Sequence, residues 1–197
     1  MNAMKTIKIV TTLLVTMLAS GWVNSQEALS VIADGSDLTI YGTSSLHDWE
    51  IIAEKMTGSC EVKIENNKVS EVTNLTFHVI VNGLKSGKSG MDDNTYIALN
   101  EEKYPKITYK LTSVERTAPS KDGESTIFVT KGTLTIAGFS KEVDLKVAAK
   151  KATGGGVQFI GKTVFNMTDY KVDPPTAVFG TIKTGDEITI IFKVVYS

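Results

Sequence analysis

Two histidines, one cysteine and a scatter of carboxylates are the groups in this 197-residue chain best equipped for covalent or metal chemistry. His47 lies in SSLHDWE beside Asp48, and His78 sits in the polar phase of an alternating segment. A zinc site needs three or four convergent ligands, and the sequence has no His/Cys cluster at metal-ligand spacing. A nucleophilic triad needs a Ser or Cys, a His and an acid in one place. Serines abound, but none sits in a nucleophile-elbow sequence. On a strand, adjacent His47 and Asp48 point to opposite faces, so the acid is badly placed to orient its own neighbour. The enzymatic reading is therefore a hydrolase using His47 with an acid from elsewhere, in an open cleft beside a nucleophile or bound water. The structural reading has His47 hydrogen-bonded at a strand start and His78 on a wetted outer face. Asp92–Asp93 fit helix capping better than a glycosidase pair. Gly154–Gly156 lacks the Lys–Ser/Thr and the helix that follow a phosphate loop, and reads as a hairpin loop. Cys60 is alone, so it has no intrachain disulfide partner. It is expected as a small buried hydrophobe, since only Lys55 and Lys63 lie near enough in sequence to activate a thiolate. The expectation is a chain with no catalytic residues, no metal and no cofactor.

Weak chemistry turns attention to the elements that would position anything. Hydrophobic residues make up 42% of the chain and charged residues 22%, ordinary values for a globular protein. The formal net charge of −1 gives no electrostatic case for nucleic acid. Residues 1–25 read as a secretory signal: Lys5 and Lys8 form the positive region, Ile9–Leu18 the short apolar run, and Val23 and Ser25 precede a cut before Gln26. That run is too short to span a bilayer, and no later stretch is long and apolar enough, so no stable membrane insertion is expected. Removing Lys5 and Lys8 leaves the mature chain two charges more negative. An exported protein, periplasmic or secreted, is the expectation, with residues 26–197 as one domain and a homodimer left open.

The stretch Lys131–Val147 is a β-hairpin on its face. Leu134 and Ile136 alternate with Thr133 and Thr135, Ala137–Ser140 turns around Gly138, and Val143, Leu145 and Val147 alternate with charged residues. The same period of two predicts strands near Asp37–Gly42, Asp48–Met56, Glu71–Val81, Lys106–Val114, Thr126–Ile136, Glu142–Ala149, Val157–Asn166 and Glu187–Tyr196. Leu29–Ala33 and Ser59–Ile64 add strand residues at the edges. Loops are expected at Asp34–Gly35, Glu65–Asn67, Asp122–Gly123, Gly154–Gly156, Asp173–Pro175 and Thr184–Asp186. Met91–Lys103 breaks the alternation and predicts a short helix, capped by Ser89, Asp92 or Asp93 and ended by Pro105. Its Met91, Ile97 and Leu99 would cover an end or edge of the sheet, and Gly83–Gly90 would form a flexible lip. A sheet with one apolar face must pack on another sheet or close on itself; if it closes, its interior is filled or holds one small ligand.

Four segments in order, GTSSLHDWEI, SGKSGMD, YPKITYKLTSV and GTLTIAGFSKEVDLKV, resemble the YceI-like family, and the match spans about Ser30 to Tyr196. The LHDW form looks like a subgroup; the histidine–serine strand start common in the family is absent near Leu38–Ile40. The resemblance implies a closed, antiparallel, lipocalin-like β-barrel of about eight strands with one short helix. It also implies non-enzymatic binding, storage or transport of a long apolar lipid, of polyisoprenoid or isoprenoid quinone type. A face assignment gives the candidate ligand-binding residues. They are Leu75, Phe77 and Val79; Ile107, Tyr109 and Leu111; Leu134 and Ile136; Phe159 and Phe165; and Ile190 and Phe192. Trp49 joins them at the mouth, as a ligand contact or as a plug. The alternative to a lipid carrier is a packed barrel that presents loops such as Gly83–Gly90 to a protein partner.

Overall fold

The computed structural model describes residues 27–177 and 180–197; the expected leader and its cut before Gln26 lie outside them. The strands are β1 (Glu27–Ser44), β2 (Trp49–Ala53), β3 (Met56–Glu65), β4 (Lys68–Ile80) and the two-residue β5 (Leu84–Lys85). Helix α1 (Ser89–Leu99) follows. Then come β6 (Lys106–Pro119), β7 (Thr126–Ile136), β8 (Phe139–Lys151), β9 (Val157–Asn166), β10 (Thr176–Ala177) and β11 (Ile182–Tyr196).

Eight strands pair in the order β11-β9-β8-β7-β6-β4-β3-β1, and β1 returns to β11. Every pair is antiparallel, so the sheet forms a ring with an inside and an outside. Short turns keep most neighbours consecutive. Asn66 and Asn67 both take positive φ between β3 and β4, and Ala137 and Gly138 do so between β7 and β8. These are the two-residue loops whose twist suits a hairpin. The boundaries of β7 and β9 coincide with the strands expected from alternation.

Five expectations need correcting. Asp34–Gly35 is not a loop but lies within β1, where pairing slips between Ile32↔Val195 and Asp37↔Lys193. The Ser36 hydroxyl accepts the Val195 N–H there at 2.9 Å, replacing a backbone partner lost in the bulge. Thr184–Asp186 likewise lies inside β11, at a second slip between Gly42↔Ile188 and Ser44↔Thr184. The strand expected over Asp48–Met56 is cut at Glu54–Lys55. There the Glu54 N–H bonds Gly83 and the Lys55 carbonyl accepts from Ile80, so the chain leaves the β1 ladder and enters β3. Ser59–Ile64 is therefore part of the ring and not an edge. Finally, α1 stops at Leu99. Asn100 takes the left-handed conformation, with φ 51°, and its N–H bonds the Ile97 and Tyr96 carbonyls before Pro105 is reached.

The core is uneven along the ring axis. One end is packed solid by Leu29, Cys60, Val62, Val69, Phe128, Val157, Phe159 and Tyr196. The Phe159 and Tyr196 rings meet edge to face at 5.5 Å. At the other end, Leu38, Ile51, Ala53, Val79 and Leu84 line one wall, with Met91 and Leu99 of α1 packed on them. Ile136, Tyr170 and Val172 make a third cluster that also touches Leu99. The packed end is a floor; the space between it and α1 is the lumen.

Candidate functional site

The inward phase of the strands encloses a cavity of about 550 Å³. That is within the ~300–1,000 Å³ usual for small-molecule sites. All thirteen candidate residues line it: Trp49, Leu75, Phe77, Val79, Ile107, Tyr109, Leu111, Leu134, Ile136, Phe159, Phe165, Ile190 and Phe192. Their alternation puts them on one face, and the ring turns that face inward.

Three inward-facing glycines keep the space open. A Cβ on Gly42 would come within 2.1 Å of the Trp49 indole. One on Gly132 would lie 2.4 Å from the Tyr109 ring, and one on Gly161 2.4 Å from Phe192. In each case an aromatic ring from a neighbouring strand occupies the space that a side chain on the glycine would take. Large rings thus thicken the wall without plugging the middle. Trp49 is held this way at the mouth end, with its indole N–H donated to the Thr43 carbonyl at 2.9 Å.

The mouth lies between the β1–β2 turn, α1 and the residues Pro175, Thr176, Ile182 and Thr184. The face of α1 that looks into the lumen carries Met91, Asn94, Thr95, Ala98 and Leu99, the spacing of one helical side. Ile97 does not join them, contrary to the sequence expectation; it is 76% exposed, on the opposite side of the helix. The capping expectation also changes. No side chain caps α1. Asp92 instead reaches back to the lip, accepting the Ser86 N–H at 2.8 Å and the Ser86 hydroxyl at 2.6 Å. Lys85 lies 3.8 Å away on its other side and donates to the Tyr96 hydroxyl at 2.7 Å. Burial works against the Asp92 charge, but the Ser86 hydrogen bonds and Lys85 outweigh it and hold the carboxyl below its usual range. Of the lip expected over Gly83–Gly90, Leu84–Lys85 form β5 and Ser89–Gly90 open α1, and Ser86 ties the connection between them to the helix.

The polar groups of the lumen are few and mostly satisfied. Thr130 donates to the Leu145 carbonyl at 3.3 Å, and the Tyr109 hydroxyl lies 3.3 Å from the Thr130 oxygen. Tyr196 donates to the Thr76 carbonyl at 3.2 Å. Burial raises the pKa of both tyrosines. Thr163 also lines the cavity, from β9.

The histidines stand apart from any acid–base constellation. His47 is exposed, and its Nδ1 lies 2.6 Å from the backbone carbonyl of Asp48. Its main chain is bound by the Ser44 hydroxyl, which donates to the His47 carbonyl at 2.7 Å and accepts from its N–H at 3.1 Å. No carboxylate or nucleophile meets its ring among the described contacts. His78 is half-buried on the outer phase, not fully wetted, with Nδ1 3.0 Å from the Thr108 hydroxyl. Burial, with Lys106 nearby, lowers its pKa. Cys60 lies in the floor, where burial pushes the thiol up to about 12, with Glu61 adding to the shift. Among the described residues no group of three or more His, Cys, Asp or Glu could hold a metal ion, and no helix is long and apolar enough to cross a membrane.

Sequence reasoning omitted part of the lining. Leu38 and Ile40 alternate in SDLTIYG and were legible as a face. Met167, Tyr170 and Val172 were not, because they come from a 3-10 turn and the loop after it, which carry no period.

The family model described as YceI-like domain matches residues 30–196. No curated protein matches the chain. Among solved structures, BcnA of Burkholderia cenocepacia is similar, with 19% identity and a TM-score of 0.64, over 85% of this chain and 99% of that one. A polyisoprenoid-binding domain from Saccharophagus degradans, implicated in plant cell wall breakdown, gives 12% identity and a TM-score of 0.63 over 88% and 99%. A Campylobacter jejuni YceI protein gives 19% and 0.52 over 75% and 82%. At these identities the likeness is one of fold.

Proposed function

The chain belongs to the YceI-like family, and we propose that it binds one long apolar lipid, of polyisoprenoid or isoprenoid quinone type, inside the ring and carries or stores it without chemistry. The observation that carries this reading is the open lumen of about 550 Å³, walled almost entirely by aliphatic and aromatic side chains. Each methylene moved from water into such a space contributes about 0.8 kcal/mol. Twenty of them contribute roughly 16 kcal/mol against association costs of ~4–15 kcal/mol, so useful affinity needs no charged anchor. The exposed His47, with its ring nitrogen on a neighbouring carbonyl, gives a hydrolase nothing to build on. The leader-like residues 1–25 fit a protein that works outside the cytoplasm.

The test is organic extraction of the purified protein followed by mass spectrometry, with native mass spectrometry of the intact protein alongside. A stoichiometric lipid of prenyl or long-acyl character is the expected result. Protein that emerges lipid-free and takes up no added prenyl lipid would end this reading.

A further inference from the structure

Deep in the lumen, Tyr109 and Thr130 form a polar device that a pure hydrocarbon would not use. Thr130 is buried, and its single hydroxyl proton is directed to the Leu145 carbonyl at 3.3 Å. A hydroxyl has one proton to give. The contact between Tyr109 and Thr130 at 3.3 Å must then be donated by the tyrosine. Once its proton is committed, the Tyr109 oxygen keeps an acceptor site on the lumen, and both residues line the cavity. The ring lies against Gly132, where a Cβ would meet it at 2.4 Å. The relay Tyr109→Thr130→Leu145 is thus a preset acceptor and presents no donor.

Its depth matters as much as its polarity. Tyr109 is paired with Phe77 and Leu134, and Thr130 is only two residues from Phe128 in the floor. From Thr130 to Ile136, in the cluster beneath α1, β7 covers about 20 Å. Strand tilt reduces this to about 15 Å along the axis.

We infer that Tyr109 and Thr130 form an inner recognition point for a lipid hydroxyl, so that the lumen selects a long-chain alcohol, held hydroxyl-inward with its tail toward α1, over ligands that end only in acceptors. The inference rests on the reading of the lumen as a lipid site and adds to it the ligand's end group and direction. An alcohol donates its O–H to Tyr109. An ether oxygen meets an oxygen with no proton to offer and gains no bond there, so the alcohol is preferred.

The experiment compares geranylgeraniol, its methyl ether and the matching hydrocarbon, each titrated into delipidated full-length mature protein and followed by Trp49 emission or displacement of a fluorescent fatty probe. The wild type should bind the alcohol about tenfold tighter than the ether. Tyr109→Phe should bring the two within about twofold of each other. Thr130→Val removes the acceptor of the tyrosine proton and frees that proton for the ligand, so the ether should gain several-fold over its wild-type affinity. A general loosening of the barrel would weaken all three probes together and could not invert the order. Equal wild-type affinity for alcohol and ether would overturn the inference even if both variants failed to fold. So would a preference that survives in Tyr109→Phe. If none of the three binds, the carrier reading itself fails, and the inference falls with it; binding without discrimination sinks the inference alone.

Discussion

Trp49 lies across Gly42, its directly paired neighbour on β1, so closely that a single methyl group on the glycine would occupy the space of the indole. Gly42→Ala must therefore push the ring off the wall and into the lumen, breaking the 2.9 Å bond from the indole N–H to Thr43. A loss of ~1–3 kcal/mol in urea unfolding is expected, as for an overpacked core, together with weaker lipid uptake. Unchanged stability would mean that the indole does not rest there.

Trp22 and Trp49 are the two tryptophans of the chain, and only Trp49 lies beyond residue 25. Emission from protein prepared without residues 1–25 therefore reports one site at the cavity mouth. Loading a prenyl lipid should shift it to the blue and titrate to one equivalent. A flat titration accompanied by demonstrated lipid binding would place the ligand away from Trp49.

Thr163 and Val164 are sequence neighbours on opposite faces of β9, one turned into the lumen and the other 47% exposed outside. Thr163→Trp should fill the cavity and reduce extractable lipid at least tenfold while the protein still unfolds cooperatively. Val164→Trp should leave the lipid untouched. Equal effects of the two, measured by extraction and mass spectrometry, would argue that the lipid does not occupy the ring.

The attachment of α1 should depend on acidity through Asp92. Its carboxyl is held below the ordinary value of about 3.9, so its stabilising contribution is complete above that pH and is lost as pH falls through the lowered folded value. Asp122, held down to about 2 by the Ser125 hydrogen bonds, and Asp169, lowered by Lys141, act in the same direction. Hydrogen exchange of the α1 amides should quicken as the pH falls below about 4, beyond the intrinsic pH effect. Asp92→Asn should exchange faster at pH 6 and lose most of that pH dependence.

Cys60, with its thiol raised to about 12, exposes about one thiolate in ten thousand at pH 8 and is buried as well. A water-soluble disulfide reagent should leave it intact in the folded protein for hours and label it at once in denaturant. Fast native labelling would show that the floor opens.

Much of this was legible because a ring repeats one simple rule. Where residues alternate without interruption, as over Thr126–Ile136 and Val157–Asn166, strand limits and inward faces follow from the sequence, and Leu134, Ile136, Phe159 and Phe165 fall into the lumen with them. The rule fails where the chain departs from the ladder. Asp34–Gly35 carries turn chemistry yet stays within β1, because Ser36 supplies the bond that the bulge removes. Ile97 has the right type to face inward, but the helical phase set by Met91 and Leu99 excludes it. Asp92 sits where a cap belongs and instead binds Ser86, a contact made after the chain has folded back. Hollowness was not legible at all: the same Phe and Leu residues line a tube or fill a core. What separates the two is which ring rests on which glycine, a cross-strand fact that no local window contains.

The seam between β1 and β11 joins the two ends of the described chain, pairing Val31 with Tyr196 and Ile40 with Ile190. Contacts so distant in sequence form late and slowly in folding. During synthesis the fifteen residues of β11 appear after the other seven strands of the ring, with Tyr196, which closes the floor, at the strand's far end. Until β11 pairs, the ring is open along that seam. A molecule lying against the inner face as the seam closes would be enclosed without ever passing the mouth.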